Sequence, residues 1–297
     1  MQVHLVDGTY ELFRHYFGMP SSQDTKGQEV GALTGVLQTL YLLLRDGATH
    51  VGVATDHVVE SFRNQMWDGY KSGEGIEPEL LQQFHPLEDA IETMGIPVWR
   101  MKELEADDGM ASAAAIAAAD ANVERILLCT PDKDLSQCVS GDRIVQFDRR
   151  ARVIRDTQGV REKFGVAPTS IPDWLALVGD AADGFPGLKG WGAKSAAAVL
   201  DRYEHLESIP LDAADWDIQV RGAGRLASTF KADREQAFLF RDLATLRTDA
   251  PLFTSVQELA WKGPRADFES HCTQLQAAGL YRRVSELAKQ RNDAAGV

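Results

Sequence analysis

Short aliphatic runs alternate with amphipathic stretches through the first half of the chain. Val3 to Val6 runs into Asp7-Gly8, Val51-Gly-Val-Ala54 into Thr55-Asp56, and Arg125-Ile-Leu-Leu-Cys129 into Thr130-Pro-Asp132-Lys-Asp134. Each is the pattern of a buried strand closed by a turn. Between them, apolar positions recur at helical spacing over roughly 31–45, 79–94 and 107–119. Strands alternating with helices predict an α/β fold with a mostly parallel central sheet and flanking helices. A further strand is predicted over 143–147, followed by a hairpin or loop, Asp148-Arg-Arg-Ala-Arg152-Val-Ile-Arg155, that carries four arginines. Beyond Phe164-Gly-Val-Ala-Pro168 the pattern turns helical and stays so, with the tail 292–297 expected to fray. The expected division is therefore an α/β core over 1–164 and an all-helical region over 165–297.

In open parallel sheets ligands bind at the carboxyl ends of the strands. Three predicted strands deliver an aspartate there: Asp7, Asp56 and Asp132. A fourth acidic group, Glu105-Ala-Asp107-Asp108, opens a helix made largely of Ala, Met and Ile. Carboxylates at a helix N-terminus cap free N–H groups and complement the macrodipole. Three of them before so apolar a helix repel one another unless a cation lies between. On that stretch alone capping and metal binding both stand. Capping is a poor joint explanation once the strand-end aspartates converge on one sheet edge. An oxygen-rich carboxylate site suits a hard divalent ion such as Mg²⁺ or Mn²⁺, and the lack of His or Cys at these positions argues against zinc.

The stretch from Ser61 to Gly75 mixes aromatic and basic residues, Phe62-Arg63, Trp67 and Tyr70-Lys71, then turns glycine-rich. It reads as an amphipathic surface helix with Phe62 and Trp67 toward the core. In the second half, Asp180 and Asp183 are three apart and would share a helical face. Gly187, Gly190 and Gly192 then form a tight turn opening a second apolar helix, with Lys189 and Lys194 beside it. That is a helix–hairpin–helix pattern over about 174–200, whose exposed N–H groups can hold a backbone phosphate without reading sequence.

Net charge is −13, from 31 basic and 44 acidic residues. Setting aside nine candidate ligands leaves 35 acids against 31 bases, a balance of −4. Global charge therefore neither supports nor excludes a nucleic-acid partner, and local patches carry the case. No apolar run approaches the roughly 18 residues of a membrane span. Cys129, Cys138 and Cys272 lack CxxC spacing and fit buried thiols in a reducing cytoplasm.

With these residues laid out, the chain resembles the 5′→3′ exonuclease and flap endonuclease family, the kind of nuclease found at the N-terminus of bacterial DNA polymerase I. The matching motifs are Val6-Asp7-Gly8, Phe62-Arg63 with Tyr70-Lys71, Glu105-Ala-Asp107-Asp108, Asp132-Lys133-Asp134-Leu135 and Gly179-Asp180-Ala-Ala-Asp183 running into Gly187-Leu-Lys-Gly190-Trp-Gly192-Ala-Lys194. Arg221-Gly-Ala-Gly224 and the stretch from Leu243 to Asp249 belong to the same likeness, which covers roughly 3–255. No polymerase domain follows, so the expectation is a stand-alone nuclease.

The resemblance implies a PIN-like core with a flexible clamp or arch near 57–90. It implies two ions, Mg²⁺ or Mn²⁺: one held mainly by Asp7, Asp56, Glu105, Asp107 and Asp132, the other toward Asp134, Asp180 and Asp183 with Asp108 close by. Lys71 and Arg14 match basic residues at the scissile phosphate, Arg63 a DNA contact, and Tyr70 an aromatic on which a terminal base stacks. The helix–hairpin–helix residues Gly187, Lys189, Gly190, Gly192 and Lys194 would grip duplex backbone, with K⁺ in the turn. The implied partners are branched or nicked DNA with a 5′ end or flap, and RNA–DNA primers, met by a monomer in the cytoplasm at the nucleoid.

One departure bears on grip. Relatives often carry another basic residue shortly after the Lys71 position, where this chain has Ser72-Gly-Glu74-Gly. Weaker, more salt-sensitive substrate binding is expected. A non-catalytic DNA-binding protein using the hairpin alone is the second reading, but it gains nothing from like charges around a phosphate. A phosphatase acting on small esters is a distant third, because Thr9 stands where its second aspartate would be.

Overall fold

The structure, a computed structural model, describes residues 1–295. Two compact units emerge, one built from 1–59, 73–129 and the segment from Thr248 onward, the other from 60–72 and 130–247.

In the first unit, β1 (Gln2–Asp7), β2 (His50–Asp56), β3 (Val98–Met101) and β4 (Arg125–Cys129) pair in the order β3-β2-β1-β4. All three pairings are parallel, with Leu5 opposite Gly52 on one side and Leu128 on the other. Central strands buried on both faces need continuous apolar runs, which is what β1 and β4 supply. The predicted parallel α/β sheet is therefore observed. β3 is absent from the sequence reading, because Val98-Trp-Arg-Met is too short for a period to register.

The helices here are α1 (Gly8–Gly18), α2 (Gly31–Arg45), α3 (Pro78–Leu81), α4 (Phe84–Thr93) and α5 (Ala106–Ala118). The single helix expected over 79–94 is broken into α3 and α4. At the break, buried Gln83 accepts the Leu33 N–H at 3.0 Å. α5 packs against all four strands. Its small residues allow this: a Cβ on Gly109 would stand 3.2 Å from that of Ala54 and 3.0 Å from Met101 Sδ. The helix thus brings its acidic N-terminus to the carboxyl edge of β2 and β3.

In the second unit β5 (Ile144–Asp148) and β6 (Val153–Arg155) form an antiparallel hairpin, so the four-arginine segment is the hairpin foreseen. Around it stand α6 (Thr157–Phe164), α7 (Ile171–Val178), α8 (Ala193–Tyr203), α9 (Ala223–Ala232) and α10 (Arg234–Ala244). Their core holds Trp174, Phe185, Trp191, Phe230 and Phe240.

The chain then rejoins the first unit through an irregular stretch and α11 (Phe268–Gln274) and α12 (Ala278–Ala295). α12 runs through most of the tail expected to fray, and residues 296 and 297 lie outside the described residues. No helix among the described residues is long and apolar enough to cross a membrane. No disulfide forms among them either, and burial pushes the Cys272 thiol up to about 11.

Candidate metal centre

In the first unit the parallel register sets Asp7 and Asp56 at the same edge, since Asp7 pairs with Ala54, two residues before the end of β2. Asp7 caps α1, accepting the Tyr10 N–H at 2.8 Å. Asp56 accepts the Ala106 N–H at 2.8 Å, joining the end of β2 to the start of α5, and its own N–H donates to Thr9 Oγ1 at 2.8 Å. Asp108, fully buried, accepts the Glu105 N–H at 2.9 Å in a capping box. Asp107 lies half-buried in the first turn of α5. The capping reading is thus literally present, and five acids still crowd one edge.

The second unit holds the tighter cluster. Asp134, Asp180 and Asp183 each offer a carboxylate oxygen, and these atoms lie within 4.8 Å of one another. Among the described residues no other three acids meet so closely. Asp180 and Asp183 do not share a helix as expected. Gly179, at φ +88, ends α7, and the chain folds into a tight loop closed by a bridge between Asp180 and Phe185. The Gly184 N–H donates to the Asp180 carbonyl at 2.9 Å and the Ala182 N–H to its Oδ1 at 3.0 Å. That loop, rather than a helical repeat, brings the two carboxylates together.

Asp134 begins a short 3-10 helix, its N–H donating to Asp132 Oδ1 at 3.0 Å. Gln137 Nε2 donates to the carbonyls of Asp134 at 3.0 Å and Ala244 at 2.9 Å, and buried Gln146 donates to that of Asp132. Amide side chains therefore fix the acidic loop from beneath. Two cations stand at the rim: Lys71 Nζ lies 2.9 Å from Asp183 Oδ1, and Lys133 Nζ 2.6 Å from Asp180 Oδ2. Burial lowers the Lys133 pKa, but its hydrogen bond to Asp180 and the neighbouring aspartates outweigh that and raise it overall.

Asp134 is fully enclosed and its Oδ1 has no hydrogen-bond partner. Burial first, then the charges of Asp132, Asp183 and Asp180, push its carboxyl well above the usual range. A buried oxygen without a donor, beside two further carboxylates, fits a hard divalent cation. Lys133 is the site residue that sequence reasoning passed over. Its place between Asp132 and Asp134 was the available signal.

Two expected DNA contacts are corrected. Arg63 is 1% exposed, and its guanidinium donates to the carbonyls of Leu243 at 2.7 Å and Thr245 at 3.2 Å. It ties the 3-10 turn Phe62–Gln65 to the end of α10 and is not offered to a phosphate. Hydrogen bonds to a charged group contribute about 1.5–3 kcal/mol each, so Arg63→Met should destabilise the fold by roughly 3 kcal/mol. Urea melts check this, and an unchanged midpoint would return Arg63 to the surface. Tyr70 is 6% exposed and part of the second unit's core, so its ring is no stacking platform in this conformation. Trp67, by contrast, packs inward as foreseen, its ring edge-on to Phe240 at 5.2 Å.

Arg14 is half-buried and bonds Glu11 and Thr39. In the hairpin turn Gly187 and Gly190 sit at φ +67 and +86, and a Cβ on Gly187 would lie 2.3 Å from the Gly179 nitrogen. Gly192 opens α8, while Lys189 and Lys194 are exposed.

Comparison with known proteins agrees with this layout. Residues 2–165 match the family model described as 5′-3′ exonuclease, N-terminal resolvase-like domain, and residues 166–267 that described as 5′-3′ exonuclease, C-terminal SAM fold. The chain is 34% identical over 266 residues to DNA polymerase I of Pseudomonas aeruginosa, covering 86% of this chain and 28% of the polymerase. It thus spans well under a third of that relative's length. With a 5′-3′ exonuclease of Aquifex aeolicus it shares 28% identity over 291 residues, covering 97% of this chain and 96% of the relative. The fold matches that of the bacteriophage T5 flap endonuclease, determined with DNA and metal ions, at TM-score 0.63 and 19% identity over 98% of this chain and 100% of the other.

Proposed function

The chain belongs to the 5′-3′ exonuclease family, and from that premise we propose that it is a divalent-metal-dependent 5′→3′ exonuclease and structure-specific 5′-flap endonuclease. It hydrolyses DNA phosphodiester bonds in replication and repair, in the cytoplasm at the nucleoid. The observation that carries the reading is the meeting of Asp134, Asp180 and Asp183, with the enclosed, unbonded Oδ1 of Asp134 among them. A protein that only held DNA would lose affinity through such charges.

In this reading Asp7, Asp56, Glu105, Asp107 and Asp132 would hold one Mg²⁺ or Mn²⁺, and Asp134, Asp180 and Asp183 a second. Bound divalent ions supply Lewis-acid charge and a water acidic enough to attack phosphorus near neutral pH. Lys71 and Arg14 bring positive charge to the phosphate oxygens as negative charge grows on them. Lys133 holds Asp180 in place at 2.6 Å and offsets repulsion within the cluster. Gly187, Lys189, Gly190, Gly192 and Lys194 grip duplex backbone, and the turn's carbonyls suit a K⁺ ion. The division falls at 164/165: the α/β nuclease core with an arch near 57–90 before it, and the helical region that carries the helix–hairpin–helix, with Asp180 and Asp183, after it. Substrates are nicked or branched DNA with a 5′ end or flap and RNA–DNA primers, bound by a monomer.

The test is a 5′-flap duplex labelled at either end, incubated with Mg²⁺ or with EDTA. Short 5′ products that need Mg²⁺ are the expected result, and the end label shows whether cuts fall at the junction or step inward. Binding without any cleavage would replace this reading with a structure-specific DNA-binding protein.

A further inference from the structure

The four-arginine hairpin plays no part in the metal centre or the helix–hairpin–helix. Net charge is −13, and several arginines outside the hairpin pair with a carboxylate: Arg14 with Glu11, Arg100 with Glu88, Arg202 with Asp217, Arg241 with Glu207. Among the described residues of the second unit Arg221, Arg225 and Arg234 lack such a partner too, but Arg150, Arg152, Arg155 and Lys163 stand on two elements, β6 with its turn and α6, that pack against each other. Among the described residues none of the four has a carboxylate within ion-pair distance. The nearby acids are spent on backbone: Asp148 Oδ1 accepts the Ala151 N–H at 2.9 Å, and Asp156 Oδ1 the Gly159 N–H at 2.8 Å.

Three further facts point to a missing anion. Arg155 Nη1 is buried and has no hydrogen-bond partner, a costly state for a charged donor. Lys163 is held below its ordinary pKa, first by burial and then by the positive charge of Arg155, which together outweigh the opposing pull of Asp132 and Asp148. Arg152 sits at φ +55, in the left-handed region where glycine is at ease and an arginine is strained. An ordinary four-residue hairpin loop would place Gly or Asn there.

We propose that the β5–β6 hairpin and the last turn of α6 form a second backbone grip, in which Arg150, Arg152, Arg155 and Lys163 bind the sugar-phosphate chain of DNA. The grip rests on the nuclease reading and is separate from the helix–hairpin–helix. Its Lys163 lies within electrostatic reach of Asp132 and Lys133, so the strand it holds is one that passes the acidic cluster. The chemistry required is a row of phosphates: charge without base recognition, since arginines on a hairpin read backbone. It also explains how so acidic a chain holds DNA despite the Glu74 departure, by concentrating unpaired cations where the strand passes. The competing explanation is that the arginines guard the edge strand β6, whose Val153 and Ile154 are 39% and 45% exposed, against pairing with another chain.

The experiment is equilibrium binding of a 5′-flap duplex in Ca²⁺ from about 50 to 200 mM salt, for the wild type, R152G and R150Q/R152G/R155Q. Removing one cation that neutralises a phosphate should flatten the slope of log K against log salt by about 0.9. The triple variant is expected to lose about 2–3 from the slope and at least tenfold in affinity at the low-salt end. R152G alone should lose about one while melting at the same or a higher temperature, because glycine relieves the φ. R152G therefore decides the matter if the triple variant does not fold. Unchanged slopes with intact wild-type binding would overturn the grip and leave the nuclease reading standing, and aggregation of the variants with unchanged slopes would assign the arginines to edge protection. A wild type that binds no DNA would overturn both.

Discussion

Asp107→Asn and Asp132→Asn should each lower flap cleavage about a thousandfold or more while binding in Ca²⁺ is unchanged or tighter. Both aspartates belong to the set proposed for the first ion, so agreement between them tests that set. Metal-borne charge stabilises a phosphoryl transition state by several kcal/mol, and each factor of ten in rate is about 1.4 kcal/mol. Losing one ligand oxygen's charge therefore reaches the thousandfold range. The fold should survive. Asp132 Oδ1 accepts the Asp134 N–H at 3.0 Å, and an asparagine oxygen accepts it equally well. Asp107 lies in the first turn of α5, where losing a carboxylate from the macrodipole costs about 0.3–1 kcal/mol. Tighter binding is expected because each change removes a negative charge that repels phosphate. Either variant cleaving at near wild-type rate would remove that residue from the metal ligands. Loss of binding in Ca²⁺ alongside cleavage would mean damage to the fold instead.

The elements that could be read in advance were those with a strong period. β1, β2 and β4 are runs of aliphatic residues ending in aspartate or just before one, and α2 has the bounds its spacing predicts, Gly31–Arg45. Turn chemistry was readable too: Gly187 and Gly190 adopt the positive φ that their placement required. What failed depended on partners distant in the chain. Nothing near Arg63 in sequence reveals that carbonyls 180 and 182 residues away hold its guanidinium. The resemblance offered Tyr70 as a stacking platform, yet the core that 130–247 contributes to encloses it. The spacing of Asp180 and Asp183 suggested a helix, whereas Gly179 ends that helix one residue earlier. Residue types singled out Asp134, Asp180 and Asp183 as acids of one site, and only the loop geometry explained why they meet.

Asp134→Asn should have the opposite effect on stability to that of most substitutions of a buried charge: it should stabilise the metal-free protein and abolish stabilisation by Mg²⁺. Asp134 is enclosed, with its carboxyl raised by burial and then by Asp132, Asp183 and Asp180, and only Lys133 pulls the other way. A raised folded pKa means the folded state binds the proton more tightly than the unfolded chain does. The associated stability is present at low pH and is lost as pH climbs from about 4, the unfolded carboxyl value, towards the folded one. Without metal the wild type therefore loses stability on going from pH 4 to neutral pH. Asparagine carries no charge, so in EDTA the variant should melt higher than the wild type at pH 7, with the difference shrinking towards pH 4. Mg²⁺ reverses the ranking. At a hundredfold excess over Kd a ligand adds about 2.7 kcal/mol by mass action, and at about 2–4 °C per kcal/mol the wild type should gain roughly 5–10 °C. The variant, lacking the enclosed oxygen anion, should gain little. The measurement is melting temperature for both proteins across pH 4–8 with Mg²⁺ or EDTA. A variant that is less stable in EDTA at pH 7 would mean that Asp134 makes a favourable contact as a carboxylate, and a variant that keeps the wild-type Mg²⁺ shift would place the ion elsewhere.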